Sequence, residues 1–177
     1  DFIDDGKISW RLVRNRIADI FDLDNPMLRD NQKHREEVLF DEKEVEMLMP
    51  VSVCDFTDFY SSKEHATNVG KLFRDPNNPL LPNWLHIPSG YHGRCSSIVK
   101  SGTKIRRRRG QRKSGNNNKI TFGPTRALDF EVELGFITTG GNKLGNPISI
   151  NESEDYIFGM VLLNDWSARD IQAWEYV

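Results

Sequence analysis

In ALDFEVELGFI, residues 127–137, every second position from Leu128 to Phe136 is apolar, and acids occupy positions between them. Successive side chains of a β-strand point to opposite faces, so this strict alternation is typical of a strand and not of a helix. It predicts a half-buried strand, with one face carrying the acids Asp129, Glu131 and Glu133.

A second apolar run, IFGMVLL at residues 157–163, has the length of a buried strand. Asn164, Asp165 and Trp166 follow it directly. We predict that Ser167 then caps a helix over residues 168–176, with Asp170 at its third helical position as in a capping box.

The beginning of the chain has a helical pattern instead. Ser9 is a plausible N-cap for an apolar stripe at helical spacing, formed by Trp10, Val13, Ile17 and Ile20. A second helix is predicted over about residues 26–39. From Leu48 onwards, short apolar runs are separated by Gly, Pro, Asn and Ser, as in β-rich domains. We therefore predict a mixed, β-rich α+β fold with a boundary near Pro50, which separates residues 1–50 from residues 51–177.

The composition excludes several classes of protein. With 177 residues, 37% of them hydrophobic, and a net charge of −2, the chain lacks the basic excess of a nucleic-acid-binding protein. No window approaches the roughly 18 apolar residues of a membrane span. The first residues do not resemble a signal peptide, so we expect a cytoplasmic protein without membrane or nucleic-acid partners. Cys54 and Cys95 match no metal or disulfide pattern and are predicted to be reduced thiols.

Glu131 and Glu133 are candidates for holding one cation together. Two positions apart on a strand, their side chains leave the same face with Cβ atoms roughly 6–7 Å apart. A solvated strand face explains the pair equally, so a metal site needs further ligands. Asp58 and Asp165 are the natural donors, although each alone is also typical of a cap or turn. Four carboxylates without a thiolate would select Ca²⁺ or Mg²⁺.

His65 lies in the dense polar segment DFTDFYSSKEHATNVG, residues 55–70. An imidazole has an ordinary pKa of about 6.5, so it is largely neutral at neutral pH and can serve as a general base for water. A structural histidine is the alternative.

Three polar residues share one face of the helix predicted after Asp165, namely Arg169, Gln172 and Tyr176. Hydrogen-bond donors aimed together stabilise a developing oxyanion, but a polar surface stripe has the same spacing. Arg74 and Tyr91 could hold a substrate carboxylate, the arginine through its bidentate fork.

The region between Pro76 and Leu128 contains no acid and many Lys and Arg residues, including Arg106 to Arg109. It could bind phosphates or an acidic partner. Its continuation, GQRKSGNNNK, has the composition of a loop, and no aromatic residues interleave with the arginines as single-strand binding requires. We predict a solvated loop. The sequence also lacks a GxSxG motif for nucleophilic catalysis.

Several long strings occur together in this chain: DFTDFYSSKEHATNVG, LLPNWLHIPSGYHGRCSSIV, SGTKIRR, LDFEVELGF and IFGMVLLNDWSARDIQAWEYV. Residues 50–177 thereby resemble the catalytic domain of the fumarylacetoacetate hydrolase family. Residues 1–50 resemble, more weakly, the helical end of that family's small SH3-like N-terminal domain. The resemblance implies a mixed β-sandwich roll, of which this excerpt holds about half.

The resemblance implies hydrolysis of the carbon–carbon bond of 4-fumarylacetoacetate to fumarate and acetoacetate, in tyrosine and phenylalanine catabolism, by a cytoplasmic homodimer. It makes His65 the base that activates water, with Arg169 and Gln172 polarising the leaving group. Calcium or magnesium would be held by Asp58, Glu131, Glu133 and Asp165. The substrate would be bound by Tyr60, Arg74, Tyr91 and Tyr176.

The chain departs from the family pattern at two positions. Arg108 stands where a proline is usual, and Cys95 stands where a small residue is usual. A lysine and a glutamate of the family's site would follow Val177. The alternatives are a family member that decarboxylates, isomerises or hydrolyses another dicarbonyl acid, and a catalytically incomplete fragment whose basic loop binds an acidic partner.

Overall fold

A computed structural model of the protein describes residues 2–114 and 119–175. The chain divides into two compact units, one formed by Asp1–Asp41 with Ile105–Val177 and the other by Glu42–Lys104. The described residues form a mixed α/β structure with small antiparallel sheets. None of their helices is long and apolar enough to traverse a lipid bilayer. The domain boundary near Pro50 stays a prediction.

Helices and strands alternate irregularly along the chain. The helices are α1 (Gly6–Ile20), α2 (Pro26–Arg29), α3 (Gln32–Val38), α4 (Lys63–Phe73) and α5 (Arg169–Glu175). The strands are β1 (Thr57–Phe59), β2 (Gly90–His92), β3 (Arg109–Ser114), β4 (Lys119–Pro124), β5 (Leu128–Asp129), β6 (Val132–Thr138), β7 (Ile157–Asn164) and β8 (Ser167–Ala168).

Helix α1 begins earlier than the sequence predicts. Asp5 is its N-cap position, and Ser9, the predicted cap, lies inside the helix, where its hydroxyl donates to the carbonyl of Asp5 at 3.0 Å. Within the apolar stripe only Trp10 is buried. Its ring meets Phe158 of β7 edge to face with centroids 5.0 Å apart, and its indole N–H donates to the carbonyl of Phe2. Trp10 therefore attaches α1 to the β6–β7 pair.

The single helix predicted over residues 26–39 is wrong, because it is two helices, α2 and α3. Asn31 interrupts it: its backbone is extended, and its side-chain oxygen accepts from the N–H of His34, so that a new helix starts there. Asn25 caps α2 in the same way through Met27. Asparagine caps of this kind satisfy N–H groups that the first turn leaves unpaired.

The alternating segment pairs antiparallel with the later apolar run and with the residues that follow it. Leu128 faces Ala168 in the β5–β8 pair, and Val132 faces Asn164 in the β6–β7 pair. These pairs have one common register, and the N–H of Asp165 donates to the carbonyl of Glu131 at 3.0 Å between them. The prediction of strands in both segments is confirmed, although Phe130 and Glu131 separate β5 from β6, whereas the apolar run lies within the continuous strand β7.

The burial of this ladder differs from the prediction. One side of the ladder carries large apolar side chains that are exposed, and we call it the apolar face. Its members are Phe130, Val132, Leu134, Phe136, Met160, Leu162 and Trp166. The opposite side, the acidic face, is half-buried at Asp129, Glu131, Glu133 and Asp165. The sequence pattern correctly separates the two faces. The apolar run at residues 157–163 is not a buried strand, since Leu162 is 80% exposed.

The basic tract is not only a solvated loop, because Arg109–Ser114 is strand β3 and pairs with Lys119–Pro124. Arg112 is buried, and its guanidinium donates to the carbonyl of Pro124. Gly110 lies so close to Ile171 of α5 that an added Cβ would stand 3.0 Å from the isoleucine Cδ1. Glycine at this position lets α5 pack against β3.

The unit Glu42–Lys104 contains β1, α4 and β2. Strands β1 and β2 pair antiparallel, with Asp58 opposite Tyr91. Helix α4 is capped by Ser62, and its Ala66 is fully buried. Gly70 touches the following loop, where a Cβ would stand 2.1 Å from the carbonyl oxygen of Pro79. A larger residue there would displace the loop from α4.

Candidate active site and metal ligands

The acidic face brings three predicted metal ligands together. Glu131, between β5 and β6, lies opposite Asp165, and Glu133 lies two positions further along the chain, in β6. Side chains opposite and diagonal to one another on one face of an antiparallel pair are neighbours. One carboxylate oxygen of Glu133 lies within 4.8 Å of one of Asp165. These two carboxylates can therefore reach a common cation.

Arg169 is the central cation of the acidic face. It is the first residue of α5 and directly follows β8, which places it beside Asp129 and Glu131. Its Nε donates to Asp129 at 3.0 Å and its Nη2 lies 2.5 Å from Glu131 Oε1. Its Nη1 donates to the side-chain oxygen of Gln172 at 3.2 Å. The structure thus joins Arg169 and Gln172, both predicted as catalytic, to one of the predicted metal ligands.

These contacts change the acid–base properties of the cluster. The hydrogen bond from Arg169 holds the pKa of Asp129 below its ordinary value. Burial lowers the pKa of Arg169, but the hydrogen bonds to Asp129 and Glu131 and the negative charges of both carboxylates together keep it raised. Asp129 and Arg169 are therefore charged together at neutral pH.

Asp170 anchors the helix that carries Arg169. Its carboxylate accepts from the hydroxyl of Thr125, which is buried, and from the N–H of Arg126 at 2.9 Å. Burial raises the pKa of Asp170, but the hydrogen bonds from Arg126 and Thr125, together with those from the backbone N–H groups of Ile171 and Asp170, leave it lowered. Ser167, the predicted cap, instead lies in β8 opposite Asp129, so the helix starts at Arg169.

In the unit Glu42–Lys104, Asp58 and Tyr91 form one cluster. They face each other across β1 and β2, and the Tyr91 hydroxyl donates to Asp58 Oδ2 at 2.6 Å. Asp58 Oδ1 accepts from the N–H of Phe59 at 2.6 Å. The tyrosine thereby fixes the orientation of the carboxylate predicted to bind the metal.

His65 and Tyr60 form a second cluster in the same unit. The N–H of His65 donates to the Ser62 hydroxyl at 3.3 Å, which places the exposed imidazole in the first turn of α4. The ring of Tyr60 meets it edge to face with centroids 5.5 Å apart. Burial raises the pKa of Tyr60, with the charge of Arg74 working in the opposite direction. The tyrosine therefore remains a protonated donor at neutral pH.

The remaining predicted residues are placed separately. Arg74 ends α4 and donates to the carbonyl of Pro79 at 3.2 Å. Tyr176 lies outside the described residues. That the predicted residues of both units form one site stays a prediction.

Two side-chain contacts near the candidate residues were not predicted from the sequence. Asp129 is the partner of Arg169, although the same alternation that selected Glu131 and Glu133 also placed it on their face. The Nε2 atom of His92 lies 2.6 Å from Oδ1 of Asp55, and this contact lowers the pKa of Asp55. No local pattern connects those two residues, since they meet only through the pairing of β1 and β2.

Two family models match successive parts of the chain. Residues 55–177 match the family described as fumarylacetoacetate (FAA) hydrolase, C-terminal, and residues 1–50 match the one described as fumarylacetoacetase, N-terminal.

Individual relatives are similar over nearly the whole chain. A fumarylacetoacetase of Dictyostelium discoideum is 52% identical over 99% of this chain and 42% of its own length. Those of Mus musculus and Homo sapiens are each 48% identical, over 100% and 97% of this chain and 42% and 41% of their own lengths. The chain thus spans about two fifths of these relatives. The family match over residues 55–177 shows that the chain belongs to the fumarylacetoacetate hydrolase family.

Proposed function

We propose that this chain is part of an enzyme that hydrolyses the carbon–carbon bond of 4-fumarylacetoacetate, yielding fumarate and acetoacetate in the last step of tyrosine and phenylalanine catabolism. The observation that carries this proposal is the identity of about one half to relatives named fumarylacetoacetase over nearly the whole chain. The acidic face, with Arg169 beside it, supplies a chemically suitable set of residues.

We propose Ca²⁺ or Mg²⁺ as the cofactor. The residues fit such an ion, because Glu133 and Asp165 offer carboxylate oxygens within 4.8 Å of each other and hard cations prefer oxygen ligands. Glu131 and Asp58 are the further proposed ligands. When bound, the ion would act as a Lewis acid toward the keto oxygens of the substrate.

His65 is proposed to take a proton from water, so that the oxygen adds to the carbonyl carbon beside the scissile bond. Cleavage leaves the bonding electron pair on the acetoacetyl carbon, which is then protonated. An exposed imidazole in the first turn of α4 is accessible for this role. Proton removal by a positioned base typically contributes about 10²–10⁴-fold to the rate.

Arg169 and Gln172 are proposed to stabilise the negative charge that develops on the leaving group. Their mutual hydrogen bond at 3.2 Å and the contacts of Arg169 with Asp129 and Glu131 restrict both side chains before any substrate binds. Restricted donors are effective because little reorganisation is needed during the reaction. Binding of the substrate's carboxylate and carbonyl oxygens is assigned to Tyr60, Arg74, Tyr91 and Tyr176.

We also propose that the complete catalytic domain is a mixed β-sandwich roll, that residues 1–50 end a small SH3-like domain, and that the enzyme is a cytoplasmic homodimer. The two successive family matches support the domain division.

The test uses the purified protein in the full length in which it is made. Fumarate release from fumarylacetoacetate is followed with Ca²⁺ or Mg²⁺ present, and carbon dioxide release is followed from other keto acids. We expect fumarate release that a chelator abolishes and that either ion restores. A folded protein that releases carbon dioxide but no fumarate would replace this proposal with decarboxylation by the same family.

A further inference from the structure

Cys54 and Cys95 are 41 positions apart in the sequence but meet at one end of the β1–β2 pair. In this pair Thr57 faces His92. The pairing continues one step further, because the N–H of Gly93 donates to the carbonyl of Phe56 at 2.8 Å. Two more steps of the same register place Cys54 opposite Cys95.

A direct contact supports this placement. The thiol of Cys95 donates to the carbonyl oxygen of Cys54 at 3.4 Å. Arg94, the residue before Cys95, has extended backbone angles, with φ −119° and ψ 106°, so β2 continues as extended chain up to the cysteine. Cys95 then begins a short 3₁₀ helix, Cys95–Ser97. The two cysteines are therefore neighbours across the end of the pair.

The packing of Gly93 holds this end in register. A Cβ on Gly93 would stand 2.2 Å from Cδ1 of the Phe56 ring, so the ring lies directly over the glycine backbone. A slip of one position would bring a side chain under the ring. The register that aligns the cysteines is thus fixed by a close contact two positions away from them.

The spacing suits a covalent bond. Residues directly opposite each other in an antiparallel pair have Cα atoms about 4.5 or 5.5 Å apart, depending on whether they exchange backbone hydrogen bonds. Disulfides span Cα separations of roughly 4.4–6.8 Å, most often about 5.5–6 Å. Side chains of opposite residues also leave the same face.

Both thiols are free in the structure, Cys54 exposed and Cys95 half-buried. We propose that Cys54 and Cys95 form a dithiol that low-molecular-weight disulfides convert into a cross-strand disulfide. The thiolate of Cys54 attacks the small disulfide, forms a mixed disulfide and releases one thiolate. The thiolate of Cys95 then attacks the Cys54 sulfur and releases the second. Two protein thiols are oxidised, and one small disulfide is reduced to two thiols.

The bond would close a loop that contains β1, α4 and β2. This loop carries Asp58, Tyr60, His65, Arg74 and Tyr91. The cross-link would hold together the strand ends on which Asp58 and Tyr91 meet. The modification site is thus one end of the segment that bears the proposed base, without touching the base itself.

The test incubates the protein, in the full length in which it is made, in glutathione redox buffers. Remaining thiols are blocked with N-ethylmaleimide, and the digested peptides are identified by mass spectrometry. We expect Cys54 and Cys95 to disappear together and to reappear as one cross-linked peptide pair within a single chain. Cys54→Ser and Cys95→Ser should each leave the other cysteine as a mixed disulfide with glutathione. Fully oxidised protein in which both cysteines carry glutathione without a cross-link would overturn the proposal.

A second measurement separates a preorganised pair from any two cysteines on one chain. The same exchange is carried out in concentrated urea, where the register of β1 and β2 is absent. We expect the equilibrium constant for the intramolecular bond to be at least about tenfold smaller there, because loop closure must then occur without the folded pair. An equal constant in both conditions would show that the fold does not align the cysteines.

Discussion

Arg169 and Glu131 form an ion pair, with 2.5 Å between Nη2 and Oε1. The arginine comes from helix α5 and the glutamate from the segment between β5 and β6, and the proposed mechanism gives them different roles. The pair therefore couples the proposed metal ligands to the residues proposed to stabilise the leaving group.

Replacing Arg169 with lysine should reduce kcat/KM for fumarylacetoacetate by about 10²–10³-fold, the typical effect of losing a preorganised donor. An ammonium cannot contact Asp129, Glu131 and Gln172 as the planar fork does. Arg16→Lys is the matched control, because Arg16 forms an exposed ion pair with Asp19. Steady-state kinetics on both variants provide the test. An equal loss of kcat/KM in the two variants would show that Arg169 has no specific role in the mechanism.

The carboxylates of the acidic face should each contribute to metal affinity. We expect Glu131→Gln, Glu133→Gln and Asp165→Asn each to weaken Ca²⁺ or Mg²⁺ binding by at least about 10-fold. Isothermal titration calorimetry measures this directly. Glu152→Gln is the control, an exposed acid bonded to Ser149. Wild-type affinity in the Glu133 and Asp165 variants would refute the proposed ligand set.

Substituting His65 with glutamine should lower kcat by about 10²–10⁴-fold, the typical effect of removing a positioned base. The substitution keeps the cap of α4, because it is the backbone N–H of His65 that bonds Ser62. His92→Gln is the matched control, since His92 contacts Asp55. Steady-state kinetics on both variants provide the test, and a wild-type kcat in the His65 variant, or an equal loss in the His92 variant, would assign the base elsewhere.

Asp170→Asn should destabilise the protein by about 1.5–3 kcal/mol at pH 7, as expected for hydrogen bonds to a charged group. The pKa of Asp170 is lower in the folded protein than its ordinary value, so its contribution is complete above about pH 4 and is lost as the pH falls through the folded pKa. Urea unfolding at pH 7 and at pH 3 should show the difference shrinking with acidity.

Asp19→Asn is the control for Asp170→Asn. Because Asp19 forms an exposed ion pair, this substitution should change the free energy of unfolding by less than about 1 kcal/mol. A difference between wild type and the Asp170 variant that stays constant with pH would mean that the charge of Asp170 does not hold α5.

The paired strands were predictable because apolar residues at every second position show directly which side chains share a face of a strand. The alternation of residues 127–137 identified the acidic face before any coordinates, and Asp165 fell on it through the common register. Which face is covered was not predictable from the alternation. Leu134 is 59% exposed. Burial of a strand face depends on which other elements pack against it, and the alternation carries no information about them.

Local capping signals were less reliable than the periodic pattern. Ser9 and Ser167 both precede apolar residues, yet Ser9 lies inside α1 and Ser167 lies in β8. Long-range pairs left no local signal. Thr125 with Asp170 and Cys54 with Cys95 become visible only when strands and helices are placed together.

The apolar face has a consequence for handling the protein. Complete transfer of a large apolar side chain out of water is worth roughly 1.5–3 kcal/mol. Covering the seven members of the apolar face, which are 45–80% exposed, would therefore be worth on the order of 10 kcal/mol. That is similar to the whole folding free energy of an ordinary domain, about 5–15 kcal/mol. A concentrated solution of these 177 residues alone would gain this energy by coalescence, so colloidal stability, rather than thermal unfolding, sets its working limit.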